Sequence, residues 1–274
     1  MKGLVFGAGF LGTRISQRFK YELSKARVGD KSIVDKILDI ASPDVVINAI
    51  GKTGRPNTDW CEMHKKETYL SNVLAATNLG ISCFERKIYF VHIGSGGVYT
   101  KKEGKEVFNE EDEPNFYDQV YTRSKIMAEK ILKEFPCLQI RINMPLDNRP
   151  NSRNLIDKLK SYNKIADISN SITIVPDMLN ALENLTENRK IGMYNLTNPG
   201  SISNVEIMTL YKEIIDPSHN FETISQQELN KFVAKRRTDG LLDTSKLAKE
   251  NIKMPEVHEA VKACLTDYKK YLIT

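Results

Sequence analysis

The segment Gly7-Ala-Gly9-Phe10-Leu11-Gly12 directly follows the apolar run Leu4-Val5-Phe6 and opens a helical stretch that reaches about Phe19. Glycines collect in many turns, but between a buried strand and a helix this spacing has a physical reason. The first glycine makes the tight turn and the second lets a pyrophosphate approach the backbone. The third lets helix and strand pack closely, and the free N–H groups of the helix start face the phosphates. Gly7, Gly9, Phe10, Leu11 and Gly12 are therefore expected to hold a dinucleotide, with Ala49 and Gly51, after the next strand, in the same site.

The first half of the chain continues the alternation. Val45-Val46-Ile47 reads as a strand, Asp59 to Leu79 as a helix and Ile88 to Ile93 as a strand. Val120 to Phe135 reads as a helix and Leu138 to Ile142 as a further strand. Short continuous apolar runs separated by helices indicate a parallel sheet covered on both faces. The expected fold class is α/β, a doubly wound parallel (Rossmann) sheet with a smaller C-terminal substrate-binding lobe. Residues 1–145 form the dinucleotide-binding domain in this reading. Residues 146–274 form mainly the lobe, with about 172–196 returning to the sheet, where Ile172 to Val175 and Met193 to Leu196 read as short strands.

Composition excludes several classes. There is no run of about 18 apolar residues, so no spanning helix is expected, and the start shows no secretion signal. The net charge is +5 with scattered basic residues, unlike the clustered patch of a nucleic-acid binder. The four cysteines, Cys61, Cys83, Cys137 and Cys264, lack metal-knuckle spacing and are few for a disulfide scaffold. Reduced thiols in the cytoplasm, and no metal, are the expectation.

Tyr121 and Lys125 stand at i and i+4, on one helical face. An ammonium there can lower the phenol's pKa, and the phenol can protonate a nascent alkoxide after hydride delivery. Spacing alone does not single this pair out, because Tyr21 and Lys25 share it. Only the Tyr121 helix follows a buried strand ending in Ile93-Gly-Ser95, where Ser95 can hydrogen-bond the same carbonyl oxygen. Ser95, Tyr121 and Lys125 are the catalytic candidates. For the cofactor, Arg27 favours NADP(H) by pairing with a 2′-phosphate, while Asp30 keeps NAD(H) open through a ribose 2′-OH.

Longer signatures run through the chain: Thr53-Gly-Arg55-Pro-Asn57-Thr-Asp-Trp60-Cys61-Glu, Glu110 to Phe116, Ser152-Arg-Asn154 to Lys158, Tyr194 to Gly200, and Leu242 to Leu247. With the residues above, they resemble the extended short-chain dehydrogenase/reductases, and within these the reductases of nucleotide-linked 4-keto-6-deoxy sugars. The resemblance implies reduction of a 4-keto group on a UDP- or dTDP-linked sugar in rhamnose-type synthesis. A dehydratase or epimerase would act upstream, and there is room for a homodimer. It places Thr53, Arg55, Asn57, Asn154, Lys158 and Arg237 at the substrate, with Lys158 as the acid/base lysine of an epimerase half and Arg237 on the diphosphate. Bottom-up, Lys158 reads equally as a snorkelling surface lysine and Arg237 as part of a solvated basic cluster. The bifunctional members carry a cysteine two residues after the catalytic Ser/Thr, and here that position is Gly97. A non-catalytic NADP-binding regulatory subunit is the reading from another class, and the intact trio argues against it.

Overall fold

The computed structural model describes residues 1–273. The chain folds as two compact units, each assembled from separate stretches. The first takes Met1–Val98, Pro114–Arg141 and Glu183–Tyr194; the second takes Tyr99–Glu113, Ile142–Leu182 and the chain from Asn195 onward.

The first unit is built on six strands: β1 (Gly3–Phe6), β2 (Glu22–Ser24), β3 (Val45–Asn48), β4 (Tyr89–Ile93), β5 (Leu138–Arg141) and β6 (Gly192–Asn195). They lie in the order β2-β1-β3-β4-β5-β6. β1 pairs in parallel with β2 and β3, β3 with β4, and β4 with β5. β1, β3, β4 and β5 are buried along their whole length, which is why they read as mainly apolar runs, with Asn48, His92, Gln139 and Arg141 as the polar exceptions. The chain steps from β1 outward to β2, then back across β1 to β3. That reversal sets a crevice at the carboxyl ends of β1 and β3.

Four helices matter here: α1 (Phe10–Phe19), α2 (Lys31–Ala41), α3 (Ala75–Glu85) and α4 (Val120–Leu132). Leu4, Phe6, Val34, Leu38, Leu79 and Leu132 join strands and helices in one core. The helix expected from Asp59 to Leu79 is broken. Trp60–Met63 and Lys65–Tyr69 are separated at His64, and a π-helical turn, Leu70–Leu74, leads into α3. Asn72, in that turn, is buried and tied to two other segments. Its Oδ1 accepts from Lys52 N at 2.6 Å, and its Nδ2 donates to Lys52 O at 3.2 Å and Ser124 Oγ at 2.9 Å. Extra turns of this kind commonly re-aim a side chain at a functional site.

The second unit has its own core, with Leu146, Ile156, Ile207, Val261, Leu265 and Tyr268 among its members. Its helices include α5 (Leu155–Leu159), the first part of α6 (Val175–Glu187), α7 (Asn204–Ile214) and α8 (Val257–Ile273). Ile172 to Val175 does not form the expected strand: Ile174 makes a single bridge to Leu146, and Val175 already begins α6. Tyr99–Glu113 belongs to this unit, although the sequence assigned it to the nucleotide-binding one. Val107–Phe108 pairs with Leu241–Leu242, Tyr99 stacks on Phe108 at 4.5 Å, and Asp239 accepts from Thr100 Oγ1 at 2.7 Å. Leu241–Leu242 and Asp239 lie more than a hundred residues downstream, beyond the reach of a local pattern.

Candidate active site

The turn after β1 depends on its glycines, each for a different reason. Gly7 has φ of +103°, and a Cβ there would lie 2.7 Å from the Ala49 carbonyl carbon. A Cβ on Gly12 would stand 1.9 Å from the Gly7 oxygen, so α1 can approach β1 only without one. Gly9 faces open space, with nothing within 4 Å of an added Cβ. It is also the N-cap of α1 and brings no capping side chain. The opening that a side chain at Gly9 would fill lies beside the N–H groups of Phe10, Leu11 and Gly12, which suits a phosphate. Ala49 is tied to β1 by its N–H, which donates to Phe6 O at 2.9 Å. Gly51, exposed, follows in the same loop.

Arg27 lies beyond the carboxyl end of β2 and is exposed. Asp30, the competing anion, also has a local role. It caps α2, accepting from Ser32 N at 2.9 Å, and that hydrogen bond holds its carboxyl below the usual value.

Ser95 follows β4 and Tyr121 and Lys125 lie in the first turns of α4, so all three stand at the carboxyl-end side of the sheet. Segment 53–62 positions the start of α4, because Glu62 accepts the Val120 N–H at 2.8 Å and Thr58 donates to Gln119 Oε1 at 2.9 Å. Burial raises the Tyr121 phenol above its usual 10.0, and a hydrogen bond with Ser95 draws it partly back. The expectation that Lys125 lowers this phenol is corrected. The Lys125 Nζ donates instead to Ile93 O at 3.0 Å, and burial pulls the amine down to about 8. The Ser95 hydroxyl also accepts from Gly97 N at 3.3 Å. The arrangement offers a protonated phenol and a hydroxyl to one oxygen, with a buried amine behind them.

The substrate candidates divide. Thr53, Arg55 and Asn57 lie in the loop after β3, Arg55 exposed and Asn57 Oδ1 accepting from Asp59 N at 2.8 Å. Asn154, expected at the substrate, is fully buried and used up. Its oxygen accepts from Asp147 N at 3.0 Å, and its nitrogen donates to Asp147 O at 2.8 Å and Arg149 O at 3.0 Å. It shapes the 147–149 turn instead of facing a ligand. Lys158 on α5 is partly buried, and burial together with the Arg153 charge holds its amine below 10.5. Arg237 is partly exposed in the second unit. Cys61 is fully buried with its Sγ 3.8 Å from Lys52 O, and burial pushes the thiol up. The His64 ring stacks on Trp60 at 3.7 Å, with Nδ1 2.8 Å from Trp60 O. Asn72 and the buried Asn48–His92 pair were missed in the sequence; an Asn inside a helix was the one available signal.

Residues 1–270 match the RmlD substrate binding domain family. The chain belongs to that family. An Arabidopsis thaliana member, a bifunctional dTDP-4-dehydrorhamnose 3,5-epimerase/dTDP-4-dehydrorhamnose reductase, is 32% identical over 94% of this chain and 90% of its own length. The trifunctional Arabidopsis UDP-glucose 4,6-dehydratase/UDP-4-keto-6-deoxy-D-glucose 3,5-epimerase/UDP-4-keto-L-rhamnose-reductase RHM2 is 34% identical over 95% of this chain, which spans 41% of that relative's length. Among solved structures, the L780 UDP-rhamnose synthase of Acanthamoeba polyphaga mimivirus superposes with a TM-score of 0.91 at 27% identity, covering 97% of this chain and 99% of that one. In this RmlD-family chain no described helix is long and apolar enough to cross a membrane, and the described residues hold no metal-binding cluster.

Proposed function

We propose that the chain reduces the 4-keto group of a nucleotide-linked 4-keto-6-deoxy sugar at the expense of NADPH. The observation that carries this reading is the meeting, in one unit, of a glycine turn open at Gly9 with Ser95, Tyr121 and Lys125. The reduced dinucleotide supplies a hydride when bound. Tyr121, kept protonated by burial, gives its proton to the sugar oxygen, and Ser95 holds that oxygen by a hydrogen bond. Lys125 would hold the cofactor ribose when the dinucleotide is bound. Arg27 takes the 2′-phosphate, which its planar guanidinium can pair, while NAD(H) stays possible through Asp30. Lys158 and Arg237 serve the nucleotide sugar, and a dehydratase or epimerase reaction supplies it. A homodimer belongs to the same reading. Titrating NADPH and NADH against wild type and Arg27→Ala tests the cofactor assignment. A selective loss of NADPH affinity of about tenfold, the worth of one exposed charge-assisted contact, supports it. Equal affinities in the wild type remove Arg27 from the site.

The epimerase half is weaker on the same grounds. Gly97 offers no side chain, and the Cys61 thiol is buried and protonated at neutral pH. We therefore assign the chain the reductase step, with the ring already epimerised or left unepimerised. Incubation with UDP-4-keto-6-deoxy-glucose and NADPH, with the product read by NMR, tests the activity; no NADPH consumption overturns it.

A further inference from the structure

A row of polar side chains crosses the middle of the first unit's sheet. Asn48 on β3, His92 on β4 and Gln139 on β5 are register partners in neighbouring parallel strands. All three are buried, at 0%, 1% and 4% exposure. Polar groups so deep in a sheet mostly find partners. Here the hydrogen bonds run from the Ile50 backbone through Asn48 to His92, while His92 Nε2 and Gln139 Oε1 are buried without one among the described residues. The Ile50 N–H donates to Asn48 Oδ1 at 3.0 Å, which turns the amide oxygen toward the backbone and its nitrogen toward His92. Asn48 Nδ2 then donates to His92 Nδ1, 3.0 Å away. With Nδ1 accepting, the neutral ring carries its proton on Nε2. Burial, with the Lys125 ammonium nearby, holds the imidazole well below 6.5, so the neutral ring is the form present. Gln139 stands beside His92 in register but is tied elsewhere, its Nε2 donating to Glu129 O at 3.3 Å.

The row ends on the backbone at Ile50, and that backbone forms one wall of the glycine turn. A Cβ on Gly7 would lie 2.8 Å from both the Ala49 oxygen and the Ile50 nitrogen. The 49–50 peptide therefore has to stay where it is for the turn to keep its shape. We propose that His92 is a positioning residue for dinucleotide binding: through Asn48 it clamps the Ile50 N–H and holds the Ala49–Gly51 segment against Gly7. The inference rests on the dinucleotide reading of the Gly7–Gly12 turn. His92 itself touches none of the reacting atoms.

The test is fluorescence titration of the full chain with NADPH, with urea unfolding followed separately. His92→Phe keeps a planar ring and removes the acceptor, and it raises the NADPH Kd about tenfold, in line with one buried hydrogen bond lost. His92→Gln, whose amide oxygen can accept from Asn48, recovers most of the affinity. Asn48→Leu weakens binding by a similar factor, and combining it with His92→Phe weakens it no further, as for two groups acting through one contact. If His92→Phe does not fold, Asn48→Leu and His92→Gln decide: the first must weaken NADPH binding about tenfold and the second must not. Wild-type chain that binds neither NADPH nor NADH overturns the dinucleotide reading. Wild-type binding with His92→Phe unchanged, His92→Gln no better than His92→Phe, or fully additive effects overturns the positioning role alone.

Discussion

Two tyrosines with a lysine four residues on are chemically alike in sequence and differ in what surrounds them. Tyr21 packs edge-on against Phe19 at 5.5 Å, and its ring occupies the space over Gly3, where a Cβ would come within 2.2 Å. Tyr121 stands beside Ser95 at the end of β4. Tyr121→Phe should cut turnover by about 10²–10⁴, the usual worth of a positioned acid, and leave NADPH binding intact. Tyr21→Phe should change turnover little. Steady-state rates of the two variants check this, and equal losses would remove Tyr121 from its role. Lys125 makes a second prediction, through stability. Its amine titrates at about 8 in the fold against an ordinary 10.5. Between those values the unfolded chain binds a proton that the folded chain does not, so stability rises with pH across that window. Below about 8 the fold bears the full cost of burying the charge. Lys125→Met should therefore unfold later in urea than wild type at pH 7, by on the order of 2 kcal/mol, while losing activity. The gap should narrow toward pH 10. A variant less stable than wild type at pH 7 would show that the Ile93 hydrogen bond outweighs the desolvation of the amine.

At the scale of elements, β1, its turn and α1 separate a packing role from a binding role within six residues. Gly12 is a packing glycine, since a Cβ there meets the Gly7 oxygen at 1.9 Å. Gly9 is an approach glycine, since a Cβ there meets nothing and its φ of −95° suits any residue. Gly12→Ala should lower unfolding stability by about 1–3 kcal/mol, the usual cost of overpacking. Gly9→Val should leave stability within about 0.5 kcal/mol of wild type, as for a surface change, and still abolish NADPH binding. Urea melts beside cofactor titrations separate the two, and a Gly9→Val chain that binds NADPH normally would move the phosphates off this turn. Likewise the break at His64 and the wide turn at Leu70–Leu74 put Asn72 between Lys52 and Ser124. A regular helix would carry that amide elsewhere.

At the scale of the whole molecule, the question is which half-reactions one chain supports. Abstraction at C3 and C5 of a 4-keto sugar needs a base on the correct ring face, whereas hydride delivery to C4 does not. With Gly97 bare and the Cys61 thiol buried, reduction in D2O should bring no deuterium into C3 or C5 beyond the uncatalysed background. NMR of the product reads this directly. Rapid, stereospecific exchange by wild type would mean that another group is the base, with His64 the first to replace. Gly97→Cys in turn tests whether one thiol at this position is enough to start exchange.

Signals carried by near neighbours along the chain were legible in the sequence. The glycine turn between strand and helix, the buried apolar strands and the i, i+4 placement of Tyr121 and Lys125 are set by bonds and spacings a few residues long. The helix from Asp59 to Leu79 was legible only as helical, because its breaks answer to partners outside it. Asn154 and Asp30 show the limit most plainly. Each matched a ligand-binding pattern, and the pattern did not show that the amide closes a turn or that one oxygen of the carboxylate also caps a helix. The tertiary structure alone decided which polar side chains were already spoken for. Asn72 meets Ser124 across 52 residues of chain, and Asn48 meets His92 across 44. A buried donor or acceptor is mostly satisfied by whatever the packing brings to it, and that choice is made in space after the strands have found their order.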